Sequence, residues 1–401
     1  MECALALTPE GLRGPMRVTW DGTVITEVEP VASVPGAAAD RVLAPGFVDL
    51  QVNGIDDVDV AGADGADWER LDSLLLAQGV TTWCPTLVTM PLPRYDAPLA
   101  RIRAAMDRPA EGRPAIAGVH LEGPFLGAAP GAHNSAWIVP VELDWLAALP
   151  DHVAVVTLGA EQPEAVAATK LLVERGVLVS IGHTRASEGE FDAVVAAGAG
   201  LVTHLFNGMS GVHHRDLGVA ALALSHPGVA ASLIADGVHV HPRVLRLAAA
   251  ALGPERTVLV TDAVGWRAGR VGEIGIALVD GAPRLPDGTL AGSALTMDAA
   301  VRTCLAAGIP LEHALRAAST TPARLLGLHD RGTIAPGSRA DLVALTPTGA
   351  LEQTWVGGFR AHLRARNPPT QLGSSECRSC PHSSSRTSRC ARRPARRPGS
   401  T

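Results

Sequence analysis

Eight short apolar runs, separated by stretches of helical periodicity, constrain this chain more than any other feature. They are Phe47–Gln51, Val80–Pro85, Ile116–Leu121, Val153–Leu158, Val177–Ile181, Leu201–His204, Val229–Ala235 and Thr257–Thr261. A strand covered on both faces reads as a continuous apolar run, whereas a half-exposed strand alternates. The intervening segments are amphipathic: in "DWERLDSLLLAQG", Trp68, Leu71 and Leu75 fall on one helical face. Eight βα units predict an α/β fold, a (β/α)8 TIM-type barrel. An open, doubly wound sheet is the competing arrangement. It would place a glycine-rich phosphate turn after its first strand, and "DLQVNGIDD" is not one.

The two ends have another texture. "MRVTWDGTVITEVEP" alternates apolar and polar residues around Asp21-Gly22, a hairpin signal. "RGTIAPGSRADLVALTP" and "EQTWVGG" return to strand character near the other end. We therefore expect residues 1–43 and 332–364 to form one small β-sandwich domain built from both termini, flanking a barrel of residues 44–331. With 401 residues the chain has room for both. "VGEIGIALVDGAPRLPDGTLAGS" reads as a β-hairpin insertion after the last barrel strand. Helices are expected over residues 296–307, 311–318 and 322–326. Residues 365–401 are rich in Ser, Pro and Arg and nearly lack large aliphatics, so disorder is expected there. Cys377, Cys380, His382 and Cys390 lie in that tail without a second pair at finger spacing, so no structural zinc is expected.

Composition removes several function classes. The formal charge is −6 and aromatics make up 3 %, which argues against a nucleic-acid partner. No stretch of about 18 uninterrupted apolar residues suggests a membrane span, and the first 20 residues do not read as a signal peptide. Six scattered cysteines suit free thiols in a cytoplasmic protein.

The chemistry is carried by polar residues at the ends of apolar strands. Glu122 follows the third run, His183 the fifth, His204 ends the sixth, His239 follows the seventh and Asp262 the eighth. Each alone has an ordinary structural reading, such as a helix cap or a surface imidazole. In a barrel, however, all C-terminal strand ends open on one mouth. A carboxylate with two imidazoles is a common ligand set for a catalytic divalent ion. An aspartate beside it can shuttle a proton.

These stretches resemble a known family. "LAPGFVDLQVNG", "GVHLEGPFLGAAPGAHN", "SIGHTRAS", "VTHLFNGMSG", "LIADGVHV", "VLVTDAV", "GSALTMDAAVR", "TTPARLLGL" and "GTIAPGSRADLVAL" occur in the order found in N-acetylglucosamine-6-phosphate deacetylases of the amidohydrolase superfamily. The resemblance covers roughly residues 1–360. It implies Glu122, His183 and His204 as metal ligands and Asp262 as general base, then acid. It implies His133 as a polariser of the acetamide carbonyl, and His239, Asn207 and Gly208 as substrate contacts. Arg215 would reach the phosphate. One divalent ion per chain is implied, zinc first and iron as another choice, in a cytoplasmic homodimer acting on a phosphorylated amino sugar.

Many superfamily relatives carry His-x-His at the first strand, where this chain has Gln51-x-Asn53; neither side chain is a strong metal ligand. Other relatives use a strand-end lysine, whereas Lys170 sits in a helical stretch. Both departures favour a single metal. His239-x-His241 is a weaker candidate for a ligand pair, and His213 and His214 suit a polar loop. The alternatives are the galacto epimer or another N-acyl amine as substrate, and, more remotely, a catalytically silent barrel used for binding.

Overall fold

The computed structural model describes residues 1–363, apart from residue 110. The eight apolar runs form eight parallel strands: β1 (Phe47–Val52), β2 (Val80–Val88), β3 (Val119–Glu122), β4 (Val153–Leu158), β5 (Leu178–Ile181), β6 (Leu201–Val202), β7 (Ala230–Leu233) and β8 (Thr257–Leu259). Each pairs in parallel with its sequence neighbour, from β1 with β2 to β7 with β8. The sheet closes between β8 and β1. Asp262 N–H donates to Gln51 O (3.0 Å), Asn53 N–H donates to Ala263 O (2.8 Å), and Val52 bridges Ala263 in parallel. Asp49 of β1 reinforces this seam from the core by accepting the Thr261 hydroxyl at 2.6 Å. The expected barrel is present, and the open sheet is excluded by the closure.

Boundaries differ from the sequence reading where hydrogen bonding, rather than hydrophobicity, ends a strand. The expected 116–121 strand is broken: Ala115–Ile116 pairs separately with β2, and the ladder resumes at Val119. Gly118 lies at the break with φ +144°, and a Cβ there would fall 2.5 Å from that of Ala154. That backbone and that space suit glycine. β6 and β8 are shorter than their apolar runs because the chain turns into the mouth early.

Helices follow each strand. Trp68, Leu71 and Leu75 are buried from helix Ala66–Leu76, as their spacing predicts. The helix Glu188–Ala196 begins at a capping box in which Ser187 and Glu190 satisfy each other's backbone N–H groups. The last three helices are Met297–Ala306, Leu311–Ala318 and Thr320–Leu325, close to expectation. The single insertion hairpin is instead two small ones, Arg270–Val271 with Ile274–Gly275 and Ala277–Val279 with Ala282–Arg284.

Strands from the two ends do pair. One sheet runs Phe359–Leu363, Leu351–Val356, Leu342–Leu345, Val42–Pro45, Leu5–Thr8, Gly11–Arg13. A second holds Glu2–Cys3, Met16–Asp21 and Val24–Pro30, with the expected turn at Gly22. Met16, Val18 and Ile25 of the smaller sheet share a buried cluster with Ala6, Leu43, Leu342, Ala344 and Trp355 of the larger. Cys3, Cys84 and Cys304 are buried free thiols. No helix among the described residues is long and apolar enough to cross a membrane. The expectations for residues 365–401, including their cysteines, lie outside the described residues.

Candidate metal and catalytic site

The strand ends converge on a cavity of about 450 Å³ lined by Glu122, His133, His183, His204, Asn207, Gly208, His239 and Asp262, among others. Seven described non-glycine residues have positive φ. Three are His183 (49°), His204 (28°) and Asp262 (48°), each just past its strand. The left-handed region is sparsely used by side-chain-bearing residues and concentrates at functional sites. Here it turns the chain as it leaves the sheet at the mouth.

Glu122 Oε1 lies 2.8 Å from His204 Nε2 and 3.3 Å from His183 Nε2, and the two Nε2 atoms are 3.1 Å apart. Donors about 2 Å from a shared ion sit roughly 3.3 Å from one another, by tetrahedral geometry at the usual bond lengths. His183 Nδ1 faces the Ala129 carbonyl at 3.1 Å, and His204 Nδ1 faces the Asn207 carbonyl at 3.1 Å. Each Nδ1 therefore carries a proton, leaving both Nε2 lone pairs aimed at each other and at a carboxylate. Two imidazole lone pairs and a carboxylate oxygen converging this closely, with only the Gln51 amide donating to the carboxylate, call for a cation, and the paired carbonyls are the outer support that metal-bound imidazoles use. The residues fit a divalent ion. Glu122, His133 and His183 also bring ligand atoms within 4.8 Å of one another. His204 makes the tighter set, because His133 Nε2 stands 3.7 Å from Glu122 Oε2.

Glycine makes this approach possible. A Cβ at Gly208 (φ +59°) would stand 2.8 Å from His183 Nδ1. Gly182, just before His183, is equally constrained, since its Cβ would meet Thr203 Cγ2 at 2.4 Å.

Asp262 is buried and points into the same space. Burial, then the Glu122 charge, raises its carboxyl to about 7, near the protonation midpoint a proton shuttle needs at neutral pH. Glu122 is also pushed up by burial. The His183 and His204 imidazoles set against it outweigh that and hold it well below the usual carboxylate range. His133 is kept neutral, at about 3, by burial and by repulsion from His183. The Thr89 hydroxyl and backbone N–H lie 2.8 and 3.4 Å from His133 Nδ1. Both can donate to Nδ1, which leaves the proton on Nε2, facing the site.

His239 Nδ1 donates to Asp236 Oδ2 at 2.7 Å, which fixes the ring. His241 does not join it as a ligand: it caps helix Pro242–Leu252 by accepting from Arg243 N–H. His213 and His214 are exposed, their tilted rings 4.6 Å apart. Lys170 is exposed on helix Ala165–Glu174, away from any strand end. Arg215 is not brought to the cavity. It is exposed and absent from the lining, whereas Arg284 of the second insertion hairpin is part of it.

Sequence reading missed the supporting groups. In the sequence, Gln51 and Asn53 read only as poor metal ligands. Yet Asn53 Nδ2 donates to Asp262 Oδ1 at 2.7 Å, and Gln51 Nε2 reaches both Glu122 and Asp262. Their signal was present: two amides two residues apart, at the end of the first strand, facing one mouth. Thr89 and Asp236 gave no comparable signal.

The Amidohydrolase family model matches residues 42–360. The chain is 40 % identical over 341 residues to N-acetylglucosamine-6-phosphate deacetylase of Bos taurus, covering 79 % of this chain and 82 % of that protein. It is 35 % identical over 364 residues to N-acetylgalactosamine-6-phosphate deacetylase of Escherichia coli O157:H7, covering 88 % and 96 %. Among solved structures, a mutant of the Mycobacterium smegmatis N-acetyl-D-glucosamine-6-phosphate deacetylase in complex with N-acetyl-D-glucosamine-6-phosphate aligns with a TM-score of 0.82 at 30 % identity, covering 90 % of this chain and 98 % of that one. Fold, strand-end cluster and likeness along most of the chain agree: this protein belongs to the N-acetylglucosamine-6-phosphate deacetylase family of amidohydrolases.

Proposed function

We propose that this enzyme hydrolyses the acetamide of N-acetylglucosamine-6-phosphate to acetate and glucosamine-6-phosphate. The observation that carries the reading is the Glu122–His183–His204 cluster meeting Asp262 in one cavity, within a chain of this family.

Glu122, His183 and His204 would hold one divalent ion, zinc in the first place, since a carboxylate and two imidazoles suit it. That ion supplies Lewis acidity toward the acetyl carbonyl and acidifies water for attack. Asp262 accepts the proton from the attacking water. It then delivers that proton to the amine nitrogen as the C–N bond breaks, which leaves the acetyl group as acetate. His133 donates from Nε2 to the carbonyl oxygen as negative charge builds there, and its neutrality at working pH suits that task. His239, locked by Asp236, and Asn207 with Gly208 would hold the sugar from the walls. The reading includes a cytoplasmic homodimer; light scattering tests the dimer.

Phosphate recognition by Arg215 is part of this proposal. The segment 211–217 leaves the cavity wall directly after Gly208 and is exposed throughout, so its guanidinium is free to meet an anion. Arg215→Ala should reduce kcat/KM for the phosphorylated sugar and scarcely alter that for N-acetylglucosamine. Equal losses on both sugars would make Arg215 a structural residue. The Escherichia coli relative supports the galacto epimer as a second reading. Rates on both 6-phosphates, measured side by side, decide between them.

A further inference from the structure

The amide of Gln51 occupies the centre of the site without being a metal ligand or a proton carrier. Gln51 is 1 % exposed, at the end of β1. The Thr203 hydroxyl donates to its Oε1 at 2.7 Å, which fixes the orientation of the amide and turns Nε2 toward the carboxylates. Nε2 then lies 2.9 Å from Glu122 Oε1 and 3.2 Å from Asp262 Oδ1. Asn53 Nδ2 adds a second donor to that same Asp262 oxygen. Two buried carboxylates that repel each other thus share one neutral donor group. Asp262 Oδ1 is committed twice, while Oδ2 has no hydrogen-bond partner among the described side chains.

We propose that Gln51 is a positioning residue for the reaction, oriented by Thr203. It ties Glu122 to Asp262 at a fixed separation, and it makes Oδ2 of Asp262 the oxygen that takes and returns the proton. Without the amide, Asn53 alone holds Oδ1 of Asp262, and the tie to the ligand carboxylate is lost. Hydrogen-bonded outer partners of this kind typically contribute about 10–100-fold. The proposal rests on the reading of Asp262 as the proton shuttle.

The test uses the full-length enzyme and measures kcat, KM, bound metal by elemental analysis and melting temperature together. Gln51→Leu should lower kcat about 10–100-fold, with KM, metal content and melting temperature near those of the parent. Thr203→Val should lower kcat in the same pattern by a smaller factor, and Thr203→Ser should restore it. Asp262→Asn in parallel separates the two levels. If it abolishes turnover while Gln51→Leu retains the parental kcat, the positioning role is wrong and the shuttle stands. If Asp262→Asn itself remains active, the shuttle reading fails and takes the positioning role with it. Loss of metal in step with kcat in Gln51→Leu also overturns the proposal, because Gln51 would then serve the metal cluster alone.

Discussion

The barrel mouth and the terminal β-sheets bury carboxylates in opposite ways. In the sheet built from both ends, the buried Asp341 is met by Arg339 Nε at 3.0 Å and by the Gly357 N–H at 2.7 Å. Around it the buried cluster of Leu43, Leu342, Ala344 and Trp355 is apolar. At the mouth, Glu122 and Asp262 are buried with no arginine on either among the described residues; the Gln51 and Asn53 amides donate to them, and the His204 imidazole stands against Glu122. His183, His204 and Asp262 there also sit in left-handed backbone. A buried charge matched by a fixed cation belongs to a region arranged for stability. Buried charges left to neutral donors belong to one that keeps its proton and cation chemistry open, at a cost in stability.

That contrast can be broken from either side. The largest effect should come from His204→Ala, which removes one of three donors and the pair Nδ1 makes with the Asn207 carbonyl. Bound metal should fall to near zero and turnover with it, while the fold persists by circular dichroism. A variant that keeps a full equivalent of metal would show that His133 completes the ligand set instead.

Asp262→Asn comes next. Metal should remain and kcat should fall about 10²–10⁴-fold, as for loss of a general base. The melting temperature should hold or rise, because one of two repelling buried charges is gone. The pH profile sharpens this. Burial and Glu122 raise Asp262 to about 7, so activity should fall on acidification as that carboxylate takes up its proton. A bound cation favours the ionised form, so the acid limb of kcat/KM should lie below pH 7 in the loaded enzyme. An acid limb that persists unchanged in a residually active Asp262→Asn enzyme would belong to another group.

The smallest catalytic effect should come from the sheets. Leu342→Ala removes a fully buried side chain from their shared core and should cost about 2–5 kcal/mol of stability. It should leave kcat/KM at 25 °C unchanged. A matching fall in kcat/KM, with the protein still folded, would tie the sheets to the chemistry.

How much of this was legible in the sequence follows from the same contrast. The barrel was readable because strands covered on both faces must be apolar throughout, and that pattern survives in one dimension. The ligand set and Asp262 were readable because polar residues at strand ends stand out against apolar runs. Arg215 was placed by resemblance and by position after β6, but its side chain stays outside the cavity of this chain. Arg284 was not foreseen, since nothing in "GAPRLPDG" says which wall the hairpin will form. Gln51 and Asn53 were undervalued because an amide's worth depends on what faces it across the barrel, and those contacts span more than 70 residues. Early strand termination at β6 and β8 was invisible too, since hydrophobicity continues after the ladder has ended.

The central claim is tested most directly by stripping the purified enzyme of metal, restoring one equivalent of zinc, and following acetate and free amine from N-acetylglucosamine-6-phosphate. The account predicts no turnover in the stripped protein. On restoration it predicts acetate and glucosamine-6-phosphate in equal amounts, with no further gain from a second equivalent. Full activity in the stripped protein, or a requirement for two equivalents, would contradict it.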